Sequence, residues 1–176
     1  MVAVLAGPDT PLVATPAELP RWRALTPLAL WSTVYVRNVN SNEILHGVAA
    51  LLARQDAEAH QLILLAEGQA ARAALELVLQ GALDCAGILG IAPPCAALPF
   101  RIVPIAAAIR LVVQHEERGD VPVALITALQ AADIDTRITS LNRQDTRAAA
   151  SAAETFVLEL VANASRPCRH QDYPGV

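Results

Sequence analysis

Short apolar runs alternate with amphipathic stretches from one end of the chain to the other. Val2 to Ala6 is apolar and stops at Gly7-Pro8-Asp9, which predicts a strand followed by a turn. Thr15-Pro16-Ala17-Glu18 has the form of a capping box with proline at the first helical position. It predicts a short helix that Pro20 disturbs or limits. Trp31 to Val36 is aromatic and β-branched and predicts a strand. Asn40-Ser41-Asn42-Glu43 opens a helix in which Ile44, Leu45, Val48, Leu51 and Leu52 recur at helical spacing as far as Gln55.

The same alternation continues. Leu62 to Leu65 predicts a buried strand, and Ala70 to Leu79 a helix with Gly81 as its C-terminal cap. Ala86 to Ile91 predicts a strand, and Pro93, Pro94, Pro99 and Pro104 mark an irregular segment. Ala108 to Val113 and Thr136 to Leu141 predict strands, Val121 to Ala132 and Thr146 to Val161 helices. The tail from Ser165, with Pro167, Pro174 and Gly175, is expected to be mobile, leaving residues 1–164 as one domain.

Most of the strands are continuous apolar runs, as expected of a parallel sheet buried on both faces and crossed by helices. The predicted fold class is α/β, a three-layer α/β/α domain with a mostly parallel sheet. Function in such a fold sits at the carboxyl ends of the strands. The turns after Ala6, Leu65, Ile91, Val113 and Leu141 are therefore the ones that matter.

Composition narrows the classes. The chain has 176 residues, 54% of them apolar and 17% charged, enough for one core without a linker. No apolar run reaches the roughly 20 residues that span a bilayer. All 13 cationic residues are arginine, which, with the abundant alanine, reads as coding bias. A net charge of -4 and an aromatic content of 3% argue against nucleic acid as a partner. Met1 to Ala6 lacks the cationic start of a signal peptide, so the expected location is the cytoplasm. Cys85, Cys95 and Cys168 are odd in number and show no CxxC spacing, which disfavours disulfides and zinc. No motif for a cofactor or metal stands out.

The segment Leu62 to Leu77 has the layout of a nucleophile elbow: buried strand, small-residue turn, alanine-rich helix. Four places together resemble the phospholipase/carboxylesterase group of α/β-hydrolases, which includes acyl-protein thioesterases. Val2 to Gly7 looks like the strand entering the oxyanion loop. Leu64-Leu65-Ala66-Glu67-Gly68-Gln69-Ala70-Ala71 looks like the Gly-Phe-Ser-Gln-Gly-Ala elbow. Ile109 to Val113 with Asp120-Val121-Pro122 looks like the strand and loop carrying the acid. Leu158 to Ala162 suits the closing helix. The resemblance implies a shortened α/β-hydrolase-like domain covering about Val2 to Val161.

The departures fall on the chemistry. The group attacks an ester with the elbow serine, activated by a histidine that an aspartate orients. Here Gly68 stands at the serine position and Ala6 at the oxyanion-loop histidine. The elbow glycines are Ala66 and Ala70, which pack closely but tolerate positive φ less well. Arg118 falls where the acid is expected, with Asp120 two places on. The last loop, Asn142-Arg143-Gln144-Asp145, has no histidine. Gln69, whose backbone N–H would help form the oxyanion hole, is retained. The resemblance thus implies a degenerate member without a working triad, with Gly7, Glu67, Gly68, Gln69, His115 and Asp120 marking where a pocket should lie.

Other sites compete with bland readings. His115-Glu116-Glu117 with Asp120 offers an acid/base pair or weak metal site, but one histidine among loop carboxylates is more often solvated. Cys95 as a substitute nucleophile competes with an incidental buried thiol. A phosphate at the Glu67-Gly68-Gln69-Ala70 turn is opposed by the charge of Glu67. Three functions stay open: a non-catalytic relative binding a small molecule or a protein, a weak or atypical ester or thioester hydrolase, and a structural self-associating domain of flavodoxin-like type.

Overall fold

The computed structural model describes residues 1–7, 18–115, 123–142 and 145–165. Among them, strands β1 (Val2–Ala6), β2 (Trp31–Tyr35), β3 (Ile63–Glu67), β4 (Gly87–Ile91), β5 (Ala108–His115) and β6 (Thr136–Asn142) form one sheet. Its order is β2-β1-β3-β4-β5-β6, and every pairing is parallel. The helices are α1 (Glu18–Leu25), α2 (Ser41–Gln55), α3 (Gly68–Leu79), α4 (Val123–Ala131) and α5 (Thr146–Ala164).

Successive strand side chains point to opposite faces, so each strand feeds two cores. Ala3, Leu5, Leu64, Ala66, Ile88 and Ile109 pack with α2, α3 and α4. Val2, Val4, Ile63, Leu65, Leu89 and Val112 pack with α1 and α5. Every residue of β3 and β4 is buried, which is why these strands read as continuous apolar runs. The three-layer α/β/α architecture expected from the sequence is the one observed.

Several boundaries move, for physical reasons. α1 runs through Pro20 to Leu25; the proline lies in the first turn, where its missing N–H would have had no intrahelical partner. Its predicted cap, Thr15 to Ala17, lies outside the described residues. β3 starts one residue later than expected and ends two later, at Glu67, while α3 begins two residues before Ala70, at Gly68. Strand passes into helix without a loop. β5 extends two residues beyond Val113 to His115, and α5 three beyond Val161 to Ala164. The tail after Ser165 lies outside the described residues.

Local capping follows the sequence. The Asn40 side chain accepts from the Glu43 N–H at 2.8 Å, while the Glu43 carboxylate accepts from the Arg37 and Asn38 N–H groups. At the end of α3 the Ala82 N–H reaches the Leu77 carbonyl and the Gly81 N–H the Val78 carbonyl, a Schellman closure with Gly81 at φ +70.

Arg110, the third residue of β5, is 1% exposed. Its guanidinium meets Asp135 at 3.0 Å and Glu159 at 2.8 Å. Burial alone would push its proton off, but the bonds to Glu159 and Asp135 outweigh burial and hold the pKa above the ordinary arginine value. This network ties the start of β5 to the start of β6 and to α5, at the amino ends of the strands and away from the turn at Gly68.

Candidate active site

Glu67 ends β3 in an extended conformation (φ -130, ψ 152), and Gly68 follows with φ +57. That positive φ turns the chain from strand to helix in one residue. It is the left-handed region, which costs a side chain roughly 1–2 kcal/mol and glycine very little. Ala66 and Ala70 flank the turn, 0% and 2% exposed, and neither has positive φ. Neither alanine therefore carries backbone strain. Small side chains suffice there because Ala66 lies between Leu5 and Gly90 in the sheet.

Gly7 leaves β1 beside this turn. A Cβ built on it would stand 3.9 Å from the Ala70 Cβ and 3.7 Å from Val39. Gly7, Glu67, Gly68 and Gln69 are thus gathered at the carboxyl edge where β1 and β3 adjoin. Glu67 is 6% exposed and caps α3 without a side-chain bond to the helix. Gln69 is exposed, and its N–H is one of the first four of α3, which have no carbonyl four residues back.

His115 stands apart. Glu67 is level with Ile91, Ile91 with Val112, and His115 lies three positions further along β5, opposite Asn142. Two strand spacings, about 10 Å, separate β3 from β5. The Nδ1 atom of His115 is buried and has no hydrogen-bond partner. Of the other histidines, His46 is exposed on α2, and His60 pairs with Glu58 at 3.0 Å before β3. His170 lies outside the described residues, as do Glu116, Glu117, Arg118 and Asp120. Among the described residues no three histidine, cysteine, aspartate or glutamate side chains cluster to hold a metal.

Cys95 is buried and its thiol donates to the Pro93 carbonyl at 3.1 Å. Burial pushes its pKa up, and the charge of Arg72 offsets this only in part. The thiolate needed for attack is disfavoured. Cys85, also buried, is pushed up to about 12 by burial and by the charge of Asp84.

Sequence reasoning missed Arg72. It lies on α3, 8% exposed, bonded to Glu76 at 2.6 Å. Nη1 donates to the carbonyls of Pro94 and Ala96, and Nη2 to that of Ala97. One side chain thereby fixes the irregular connection between β4 and β5 against the elbow helix. The available signal was a lone arginine among the apolar residues of Gly68–Leu79.

That connection also forms a wall of a groove of about 690 Å³. Leu98, Phe100, Ile102 and Val103 face Ala124 and Ala128 of α4 across it, with Arg101 among the lining residues. None of Gly7, Glu67, Gly68, Gln69 or His115 lines this groove, so it is not the pocket expected beside the elbow. No helix is long and apolar enough to cross a membrane among the described residues.

No protein-family model matches the sequence, and no curated protein matches it either. Solved structures do. Esterase PE8 superposes with a TM-score of 0.64 at 15% identity, over 90% of this chain and 91% of that one. SOBER1 F65L of Arabidopsis thaliana gives 0.61 at 11% identity, over 92% and 100%. The carboxylesterase of Bacillus cereus gives 0.55 at 13% identity, over 68% of this chain. This chain spans only 59% of the length of that carboxylesterase. Strand order as far as β5 is shared with flavodoxin-like sheets, so order alone does not separate the two. The superpositions show that this chain shares its three-layer fold with α/β-hydrolase structures.

Proposed function

We propose that this chain is a non-hydrolytic α/β-hydrolase-fold protein that works by binding a small molecule or a protein partner. One observation carries the reading: the turn that would present the nucleophile keeps its positive φ, and the residue there, Gly68, has no side chain. A triad acts as a unit, and losing its members removes most of the rate. The last loop lacks a histidine in sequence, and His115 is two strands and several residues away from Gly68. The groove between Leu98 to Val103 and α4 has the size and apolar lining of a small-molecule site.

A second reading has one specific observation in its favour. His115, with an unpartnered Nδ1 at a carboxyl strand end, is a base without an assigned task. It would make the chain an atypical ester hydrolase that activates water directly. A fluorophosphonate that labels activated nucleophiles separates the covalent route from both. On the proposed function the intact mass of the treated protein is unchanged; a stoichiometric adduct overturns it.

A further inference from the structure

The two edges of the sheet differ in chemistry. β6 carries Arg137, a charge of the kind that keeps edges from pairing, held at 3.2 Å from Glu159. The opposite edge, β2, reads Trp31-Ser32-Thr33-Val34-Tyr35: no charge, no proline, and mostly β-branched or aromatic residues. Its surroundings are apolar as well. Tyr35 is 78% exposed and Leu28 fully exposed, with Leu25 and Leu30 about half exposed.

The ladder shows which backbone groups face out. The Val2 N–H bonds to the Leu30 carbonyl and the Val36 N–H to the Ala6 carbonyl. In a parallel pair alternate residues bond to the same neighbour, so Leu30, Ser32, Val34 and Val36 serve β1. The N–H and C=O groups of Trp31, Thr33 and Tyr35 point away from β1, to an edge that no other described strand covers.

That set is complementary to itself. If two β2 strands run antiparallel about a two-fold axis at Thr33, Thr33 faces Thr33 of the second copy and Trp31 faces Tyr35. All of these become hydrogen-bonded pairs, each exchanging both bonds. The side chains agree with the backbone. Trp31 and Tyr35 lie on one face of the strand; Trp31 is half-buried against its own core with Nε1 donating to Thr26, so the exposed part of its ring would meet the exposed tyrosine of the other copy, an aromatic cross-strand pair. Threonine opposite threonine is likewise a favoured pair. No other register places the aromatics together and leaves every outward group paired.

We propose that this chain forms a two-fold dimer through β2, joining two six-stranded sheets into one continuous antiparallel-centred sheet. The interface is independent of the elbow, so its failure leaves the reading of Gly68 untouched.

The test is oligomeric state by sedimentation velocity across the micromolar range, with three variants. Wild type is expected to sediment as a dimer. Thr33→Pro removes an outward N–H without breaking a bond to β1, and Tyr35→Arg puts a charge on the edge; each is expected to yield monomer with an unchanged circular dichroism spectrum. Should Thr33→Pro fail to fold, Tyr35→Arg decides, because that side chain is already exposed. Thr33→Cys, in a Cys168→Ser background, is expected to cross-link to dimer with a short bis-maleimide, since directly opposed residues of a hydrogen-bonded pair have Cα atoms about 5.5 Å apart. A monomeric wild type, a dimer indifferent to both substitutions, or a Thr33→Cys protein that does not cross-link overturns the proposal.

Discussion

The Arg72 guanidinium donates to the Ala96 carbonyl at 2.6 Å, joining the helix that follows Gly68 to a connection that has no regular structure of its own. The same side chain reaches the carbonyls of Pro94 and Ala97. Hydrogen bonds to a charged donor are worth more than neutral ones, and these are largely shielded from water. Arg72→Ala is expected to cost about 2–3 kcal/mol of stability in urea unfolding. It should also open residues 94–97 to limited proteolysis. Arg72→Lys should recover only a part, because an ammonium cannot serve three spread carbonyls as the planar fork does. Equal stability of all three proteins would show that the connection holds itself.

Two glycines make opposite predictions. A Cβ on Gly87 would meet Leu160 Cδ2 at 2.7 Å and the Ala108 carbonyl oxygen at 2.9 Å. The carbonyl belongs to the neighbouring strand and cannot move aside, so Gly87→Ala should destabilise by about 1–3 kcal/mol. A Cβ on Gly7 meets nothing nearer than 3.7 Å. Gly7→Ala should leave the melting temperature within a degree or two of wild type, since ordinary contacts involve no strain. Thermal unfolding of the pair checks both.

Alkaline stability should report on Cys85. Its pKa is pushed from 9.0 to about 12 in the fold, so the folded state holds its proton where the unfolded chain has lost it. The stabilisation is whole below pH 9 and drains away as pH climbs from 9 towards 12. The chain has no lysine; Cys95, whose pKa burial also pushes up, adds to the same slope, so a Cys95→Ala control accompanies Cys85→Ala. The melting temperature is expected to fall between pH 8 and 11, and Cys85→Ala to flatten the fall. A slope unchanged by the substitution would assign it to another group.

Much of this fold was legible in the chain because its strands are apolar runs buried on both faces. Ile63 to Ala66 and Ile88 to Ile91 announce themselves in that way, and Pro93, Pro94, Pro99 and Pro104 announce a connection that is not a helix. The tight passage from β3 to α3 was legible as small residues between a strand and a helix, and Gly68 has positive φ there. What stayed hidden depends on partners far along the chain. Arg72 meets carbonyls 22 to 25 residues away, and Arg110 meets Glu159 across 49. Periodicity cannot foresee such pairings. The groove beside α4 was equally hidden, because a cavity is the space that several elements leave between them. Asp120 and the loop around it lie outside the described residues.

Placing a hydroxyl at position 68 should not create ester chemistry. Gly68→Ser places a β-carbon at φ +57 and should cost about 1–2 kcal/mol in stability. Among the described residues no histidine stands beside position 68 to serve as base, and a serine unaided is a weak nucleophile. The variant should fold, melt a few degrees lower and remain inert towards esters. Turnover by this variant would show that a base does stand near position 68.

Hydrolysis of p-nitrophenyl esters by the purified wild-type protein tests the central claim most directly. The absence of a side chain at Gly68, together with a thiol at Cys95 that burial keeps protonated, predicts release of p-nitrophenolate no faster than in buffer. Saturable turnover that disappears on His115→Ala or Cys95→Ala would contradict it and make the chain an enzyme.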